Sequence, residues 1–269
     1  MSTLGWLRSV MRLVEPRAVA SSVRAATGPP AGVAGLDPIT APADPEVIAA
    51  AIIRARQSGA DAESRLLWGR FAYRAAVRRW GLLHPVSVRA GSVYQRVLTE
   101  QALTFDAVRV CEQRLAADEE SGDPRTALAS RCRFAVALHR DGQCDLADEQ
   151  IVGVLRRWHA SPQGYGQAEM VLLAAAGVYA GCGRTGQAVQ ALTRDGAYLA
   201  QMDARCRRLA ARWLASVVRT HPRWCTQPHN PGGQDRGGDS GNWLAVLDRC
   251  TATPRGAGQT AGVARRGGV

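Results

Sequence analysis

Gln101-Ala102-Leu103-Thr104-Phe105-Asp106-Ala107, Asp141-Gly142-Gln143-Cys144-Asp145-Leu146-Ala147 and Cys182-Gly183-Arg184-Thr185-Gly186-Gln187-Ala188 are three versions of one pattern. In each, a small residue stands five positions before an alanine: Ala102 before Ala107, Gly142 before Ala147, Gly183 before Ala188. The alanines lie 40 and then 41 positions apart. Self-similarity at such a period marks a repeat architecture in which each unit is one supersecondary element. The glycines can take the positive φ that ends a helix, and a small alanine lets the next helix pack closely against the first. The spacing predicts helix, tight turn, helix in every unit.

The residues upstream agree. Pro85, Pro124 and Pro162 each open a unit, and proline suits the first turn of a helix, where its missing N–H costs nothing. Asp123 and Ser161 precede two of them as N-cap candidates. Apolar residues recur at helical spacing: Val93, Val97 and Leu98, then Phe134, Ala137 and Leu138, then Leu172, Ala176 and Tyr179. A weaker earlier unit starts at Asp44-Pro45, with Gly59 as its candidate turn. Ala204 to Val218 reads as a closing helix. Cys206, Leu209, Ala210, Trp213, Leu214 and Val217 make its apolar stripe, and Arg205, Arg208 and Arg212 face the other way, as the cap of an array requires.

At these residues the chain resembles the tetratricopeptide repeat family, in which a small residue ends the first helix and an alanine follows five later. The large residue four before the turn is present as Leu98, Leu138 and Tyr179. The period near 40 is similar to the longer kinesin-light-chain-like subtype, whose units often open with an acidic residue or His before Pro, as His84-Pro85 and Asp123-Pro124 do. The resemblance covers residues 84–200 and extends weakly over 45–83. It implies an all-α fold: a right-handed array of antiparallel helix pairs, a TPR-like α-solenoid, with flexible N- and C-terminal arms. It also implies a non-catalytic scaffold that holds a protein or peptide partner on a concave face lined by the first helices. Carrying over the family's groove positions points to Arg89, Ser92, Arg96 and Thr99 in the first unit, and to Cys132, Arg133, Val136, His139 and Arg140 in the second. In the third it points to Met170, Leu173 and Gly177. Such a groove is basic at one end and apolar at the other, which suits a peptide with an acidic part and an apolar anchor. The family's clamp for chaperone C-terminal carboxylates needs Lys and Asn where Ser92 and Arg96 stand, so that ligand is not expected. Arg114 and Asp195 occupy second-helix positions that usually carry a small residue, which puts the register of those helices in question.

Composition bounds the function. The 269 residues are 46% hydrophobic, enough for a real core. All 34 basic residues are arginine and 23 are acidic, for a net charge of +11. That charge has two readings. One is codon bias in a GC-rich bacterial genome, which favours Arg over Lys. The other is an anionic partner. Arg70, Arg74 and Arg78 share a helix face at i, i+4 and i+8, and the closing helix adds Arg205, Arg207, Arg208 and Arg212. The second functional reading is therefore a nucleic-acid-associated or transcription-linked regulator that tracks phosphates with these basic faces. Aromatic residues are few, so stacking on single strands would be weak.

Three segments follow from the composition shifts. Residues 1–44 read as a flexible arm with a short amphipathic helix at Leu4, Leu7, Met11 and Val14. Residues 45–221 read as the helical repeat domain. Residues 222–269 read as a disordered Gly/Pro/Arg-rich tail, in which only Trp243 to Cys250 could form a short helix. Arg8 and Arg12 break the N-terminal apolar run, so no secretory signal is expected. No stretch approaches about 18 uninterrupted apolar residues, so no membrane span is expected. The seven cysteines include no C-x-x-C pair and read as scattered buried thiols in a reducing cytoplasm. The pattern does not set an oligomeric state.

No motif demands catalysis. Gly181-Cys182-Gly183-Arg184-Thr185-Gly186 matches G-x-G-x-x-G without a strand before it. His221, Cys225, His229 and Cys250 are residue types that zinc accepts, but Pro222 and Pro228 prevent the helix that would align the first three. His139 and His159 have no evident nucleophile partner, and no G-x-S-x-G elbow is present. The Asp118-Glu119-Glu120 cluster reads as a solvated loop. The expectation is no catalytic residue, no cofactor and no metal ion.

Overall fold

The computed structural model describes residues 28–162, 168–219 and 242–252. Among these residues there are ten α-helices and no strand: α1 (Pro45–Arg56), α2 (Ala62–Trp80), α3 (Pro85–Glu100), α4 (Thr104–Glu120), α5 (Pro124–Arg140), α6 (Cys144–Ala160), α7 (Ala168–Gly181), α8 (Thr185–Arg194), α9 (Ala204–Arg219) and α10 (Trp243–Ala252). Short 3-10 turns lie at Ala31–Val33 and Gly196–Leu199. The all-α class expected from the sequence is present. No described helix is long and apolar enough to cross a membrane.

The turn pattern has a single backbone cause. Ala102, Gly142 and Gly183 adopt φ of 58°, 84° and 74°. In each case the next residue's N–H donates back over the turn at 2.9 Å: Leu103 to the Leu98 carbonyl, Gln143 to Leu138, Arg184 to Tyr179. This Schellman geometry satisfies carbonyls that the helix end would otherwise leave open. The second helix then starts with the same bond in every unit, from Ala107, Ala147 and Ala188 to Leu103, Gln143 and Arg184. All three alanines are buried.

Prolines begin α1, α3 and α5, behind Asp44, His84 and Asp123. The Asp123 carboxylate accepts from the Arg125 N–H, so its predicted N-cap role holds. Ser161 closes α6 as its C-cap residue, and the helix it was expected to cap continues into residues outside those described. Asp195 accepts a 3.0 Å contact from His159, which gives that departure from the small-residue pattern a polar purpose.

The helices share two cores. One gathers the Ala31–Val33 turn, α1, α2 and α3; the other gathers residues of α4 through α10. Consecutive helices touch throughout most of the chain. The first helices α1 and α3 also meet, as do α5 and α7, but α3 and α5 barely do.

The closing helix α9 buries Cys206, Ala210, Trp213, Leu214 and Val217 and leaves Arg205, Arg208 and Arg212 exposed, as its stripe predicts. It lies along α7. The short helix that the sequence allowed at Trp243 to Cys250 within the Gly/Pro/Arg-rich tail is present as α10, and it docks on α8, α9 and the Gly196–Leu199 turn. Trp243, Val246, Leu247 and Cys250 are buried there, and Asp248 pairs with Arg207 at 2.8 Å. The N-terminal arm is likewise not free throughout, since Val33 sits in the first core. The amphipathic helix expected at Leu4 to Val14, and His221, Cys225 and His229, lie outside the described residues.

Two substitutions should move stability in opposite directions. A Cβ on Gly177 would stand 2.2 Å from Trp213 Cη2, so Gly177→Ala should cost about 1–3 kcal/mol through overpacking. Ala102→Gly removes a side chain from a left-handed position and should gain up to about 1 kcal/mol. Urea denaturation midpoints at unchanged slope measure both.

Candidate functional site

Where α3 and α5 part, a narrow cleft opens to solvent. Ser87, Val88, Gly91, Ser92 and Gln95 of α3 line one side, a spacing that puts them on one helical face. Ser130 and Arg133 of α5 face them, with Val110, Cys111 and Arg114 of α4 behind. Tyr73 of α2 and Leu82 complete the lining.

Arg114 stands at the back of the cleft, where the repeat pattern would place a small residue. Its guanidinium donates to Asp118 at 2.7 Å and reaches the Leu82 carbonyl at 3.4 Å. Asp118 is only 2% exposed, and the Ser130 hydroxyl donates to the same carboxylate oxygen. A buried carboxylate is tolerable only when paired and hydrogen-bonded in this way. Asp118 is therefore not part of a solvated acidic loop, because it lies on the inward face of α4.

The opposite wall is apolar. Gly91 lets the Tyr73 ring lie on α3, since a Cβ there would be 3.1 Å from Tyr73 Cε2. The Tyr73 hydroxyl donates to Gln113 Oε1 at 3.2 Å. Burial raises the Tyr73 pKa, with Arg114 opposing, so the phenol stays neutral. Tyr73 stacks on Tyr94 at 5.9 Å between ring centroids.

The charge of the lining is positive. It carries Arg114 and Arg133 and no carboxylate, and the charge of Asp118 behind it acts on both, most closely on Arg114. Burial lowers the Arg133 pKa, with Cys111 opposing. Ser87 is buried, and its Oγ makes no hydrogen bond. A buried hydroxyl without a partner costs about 1–3 kcal/mol, so an occupant that bonded it would regain that free energy. The arrangement can hold an anionic group on Arg133 and Ser87, beside an apolar group on Tyr73, Leu82 and Val110.

Of the groove residues inferred from the sequence, Ser92 and Arg133 meet in this cleft. Arg89 is exposed on the same helix. Arg96 pairs with Glu100 at 3.6 Å, and the Thr99 hydroxyl donates to the Gln95 carbonyl of its own helix. Arg140 is half-buried. Cys132, Val136 and His139 are buried. The expected apolar end is closed: Leu173 is 0% exposed, Met170 is buried, and the Trp213 ring covers Gly177. The chain's own α9 occupies that stretch, so Leu173 is core and not a partner contact. Of the basic faces, Arg70, Arg74 and Arg78 are exposed along α2, whereas Arg207 is tied to Asp248 and the Met202 carbonyl. Tyr73, Ser87, Arg114 and Ser130 were not in the inferred groove. Arg114, in place of a small residue, was the signal that could have found them.

Burial pushes the Cys111 and Cys132 thiols up to about 12 from 9.0. A raised acid pKa means that the unfolded chain ionises first as pH rises. Stability is thus complete below pH 9 and falls above it, by about 1.4 kcal/mol per pH unit for each thiol. Burial lowers Arg140 to about 10, which acts in the opposite sense at higher pH. Chemical denaturation between about pH 8 and 9.5 should show stability falling with pH, and Cys111→Ala with Cys132→Ala should make that fall shallower. Arg114→Ala leaves Asp118 buried without its cation and should cost about 3 kcal/mol by the same measurement.

No protein-family model, curated protein or solved structure matches this chain.

Proposed function

We propose that this protein is a non-catalytic interaction scaffold, a TPR-like right-handed array of antiparallel helix pairs, that holds an acidic peptide segment in the cleft between α3 and α5. The buried Ser87 hydroxyl without a hydrogen bond, set among the arginines of the cleft, carries the reading. Three positive-φ turns at a 40-residue period support the array. The mix of two arginines with Tyr73, Leu82 and Val110 favours a carboxylate flanked by an aliphatic or aromatic side chain. The interaction is short-range and partly desolvated, so its salt dependence is modest.

A second reading rests on the exposed arginines of α2 and α9, Arg70, Arg74, Arg78, Arg205, Arg208 and Arg212. Those faces would track a phosphate backbone, and binding would then fall steeply with salt.

The test is a fluorescein-labelled library of short Asp/Glu-containing peptides, read by anisotropy on the full chain. Selected peptides should pair a carboxylate with an apolar residue. Arg133→Glu should weaken them roughly tenfold or more. Ser87→Ala should weaken them severalfold while leaving the urea midpoint unchanged or higher. Equal affinity of Arg133→Glu for the selected peptides would sink the cleft. Salt-sensitive capture of duplex DNA, lost on Arg70→Glu with Arg74→Glu, would put the second reading in its place.

A further inference from the structure

The turns of the second and third units bring together a set of side chains that the cleft does not use. His139 lies in the last turn of α5, Cys144 is the first residue of α6, and Cys182 follows the last residue of α7. All three are buried, at 2%, 0% and 3% exposure. One ligand-type atom from each lies within 4.8 Å of the other two. Among the described residues this is the one such group of three.

The backbone presents these residues rigidly. His139 and Cys144 flank the Gly142 turn, and Cys182 precedes Gly183 in the next. Both turns carry the closing bonds of the Schellman geometry, from Gln143 to Leu138 and from Arg184 to Tyr179. Asp148 and Arg184 tie the same two units with a 2.8 Å ion pair. Gly181 clears the space for the imidazole: a Cβ there would stand 2.3 Å from His139 Cε1 and 2.6 Å from Nε2. Val217 of α9 covers the same spot, 3.0 Å from that Cβ position.

The geometry points to a metal site formed by His139, Cys144 and Cys182 that takes a thiophilic d10 ion, zinc(II) or copper(I). Thiolate and imidazole are the ligands these ions select, and hard calcium or magnesium would find no oxygen ligand in the set. Three atoms no more than 4.8 Å apart allow a central ion within about 2.8 Å of each, so at most a small inward shift reaches the ~2.0–2.3 Å bonds of zinc. Loading zinc on two thiolates and a neutral imidazole expels two protons and leaves a neutral complex, which a dry interior tolerates. Zinc completes its shell with one exogenous ligand, whereas copper(I) is satisfied by three. Either ion would tie the turn of the second unit to that of the third.

The chain, purified reduced and stripped by chelator, is titrated anaerobically with Zn²⁺ against a chromophoric chelator and with Cu⁺ against bicinchoninate. One ion per chain is expected, with about two protons released per zinc at mildly acidic pH. Cobalt(II) in place of zinc should give thiolate charge-transfer absorption. Cys144→Ser or Cys182→Ser should lower affinity roughly a hundredfold, and Cys250→Ser on α10 should not. Should these variants fail to fold, alkylation of the intact chain mapped by mass spectrometry decides: in partial denaturant, bound metal should protect Cys144 and Cys182 selectively. Tighter binding of Zn²⁺ supports the zinc form, and tighter binding of Cu⁺ the copper form. Sub-stoichiometric uptake of both ions, or full uptake by the Cys144→Ser, Cys182→Ser double variant, overturns the site.

Discussion

The structure depends on reversing the chain in two or three residues without leaving helix carbonyls open. The left-handed residue at Ala102, Gly142 and Gly183 does this. It points the following N–H back at the helix just ended and starts the next helix on a fixed bond. Once that reversal is set, the buried alanine five positions later governs how close the two helices come. Everything larger, including the repeat of about 40 residues, follows from reuse of this corner. The first unit achieves it with alanine, against the conformational preference of L-residues, so the tertiary packing around residue 102 must hold the turn in place.

The helix pairs are not uniform, and the irregularity is chemical. Arg114 carries a planar cation into a position where the other units would gain from a small side chain. Asp118 and Ser130 make that cation tolerable, and the three together act as a polar spacer between neighbouring units. The two apolar cores end on either side of it. The cleft lies against this spacer, with Arg114 and Ser130 in its lining.

Local conformational demands were legible in the sequence; demands set by tertiary contact were not. A turn that needs positive φ selects its residue wherever it occurs, so Gly142 and Gly183 announce themselves. The apolar stripe of α9 is equally local. By contrast, Trp243, Val246 and Leu247 sit among glycines and prolines, and only the surface they cover makes α10 part of the core. Register identified the face that holds Ser92 and Arg133 but could not reveal that α9 lies over Leu173 and Gly177. Asp118 looked solvated because two more acids follow it, while its own position on α4 turns it inward. His139, Cys144 and Cys182 share no motif spacing, since Cys182 reaches the other two through the stacking of successive turns.

The division into two cores bears on how the molecule comes apart. Apolar contact makes unfolding cooperative only as far as it is continuous. Here the continuity is interrupted at the Arg114 seam, between helices that barely meet. The helices α1 to α3 and the helices α4 to α10, gathered on separate cores, can therefore unfold as separate cooperative units. Whatever lodges in the seam touches both, and so it would do more than occupy a surface: it would make two unfolding events into one.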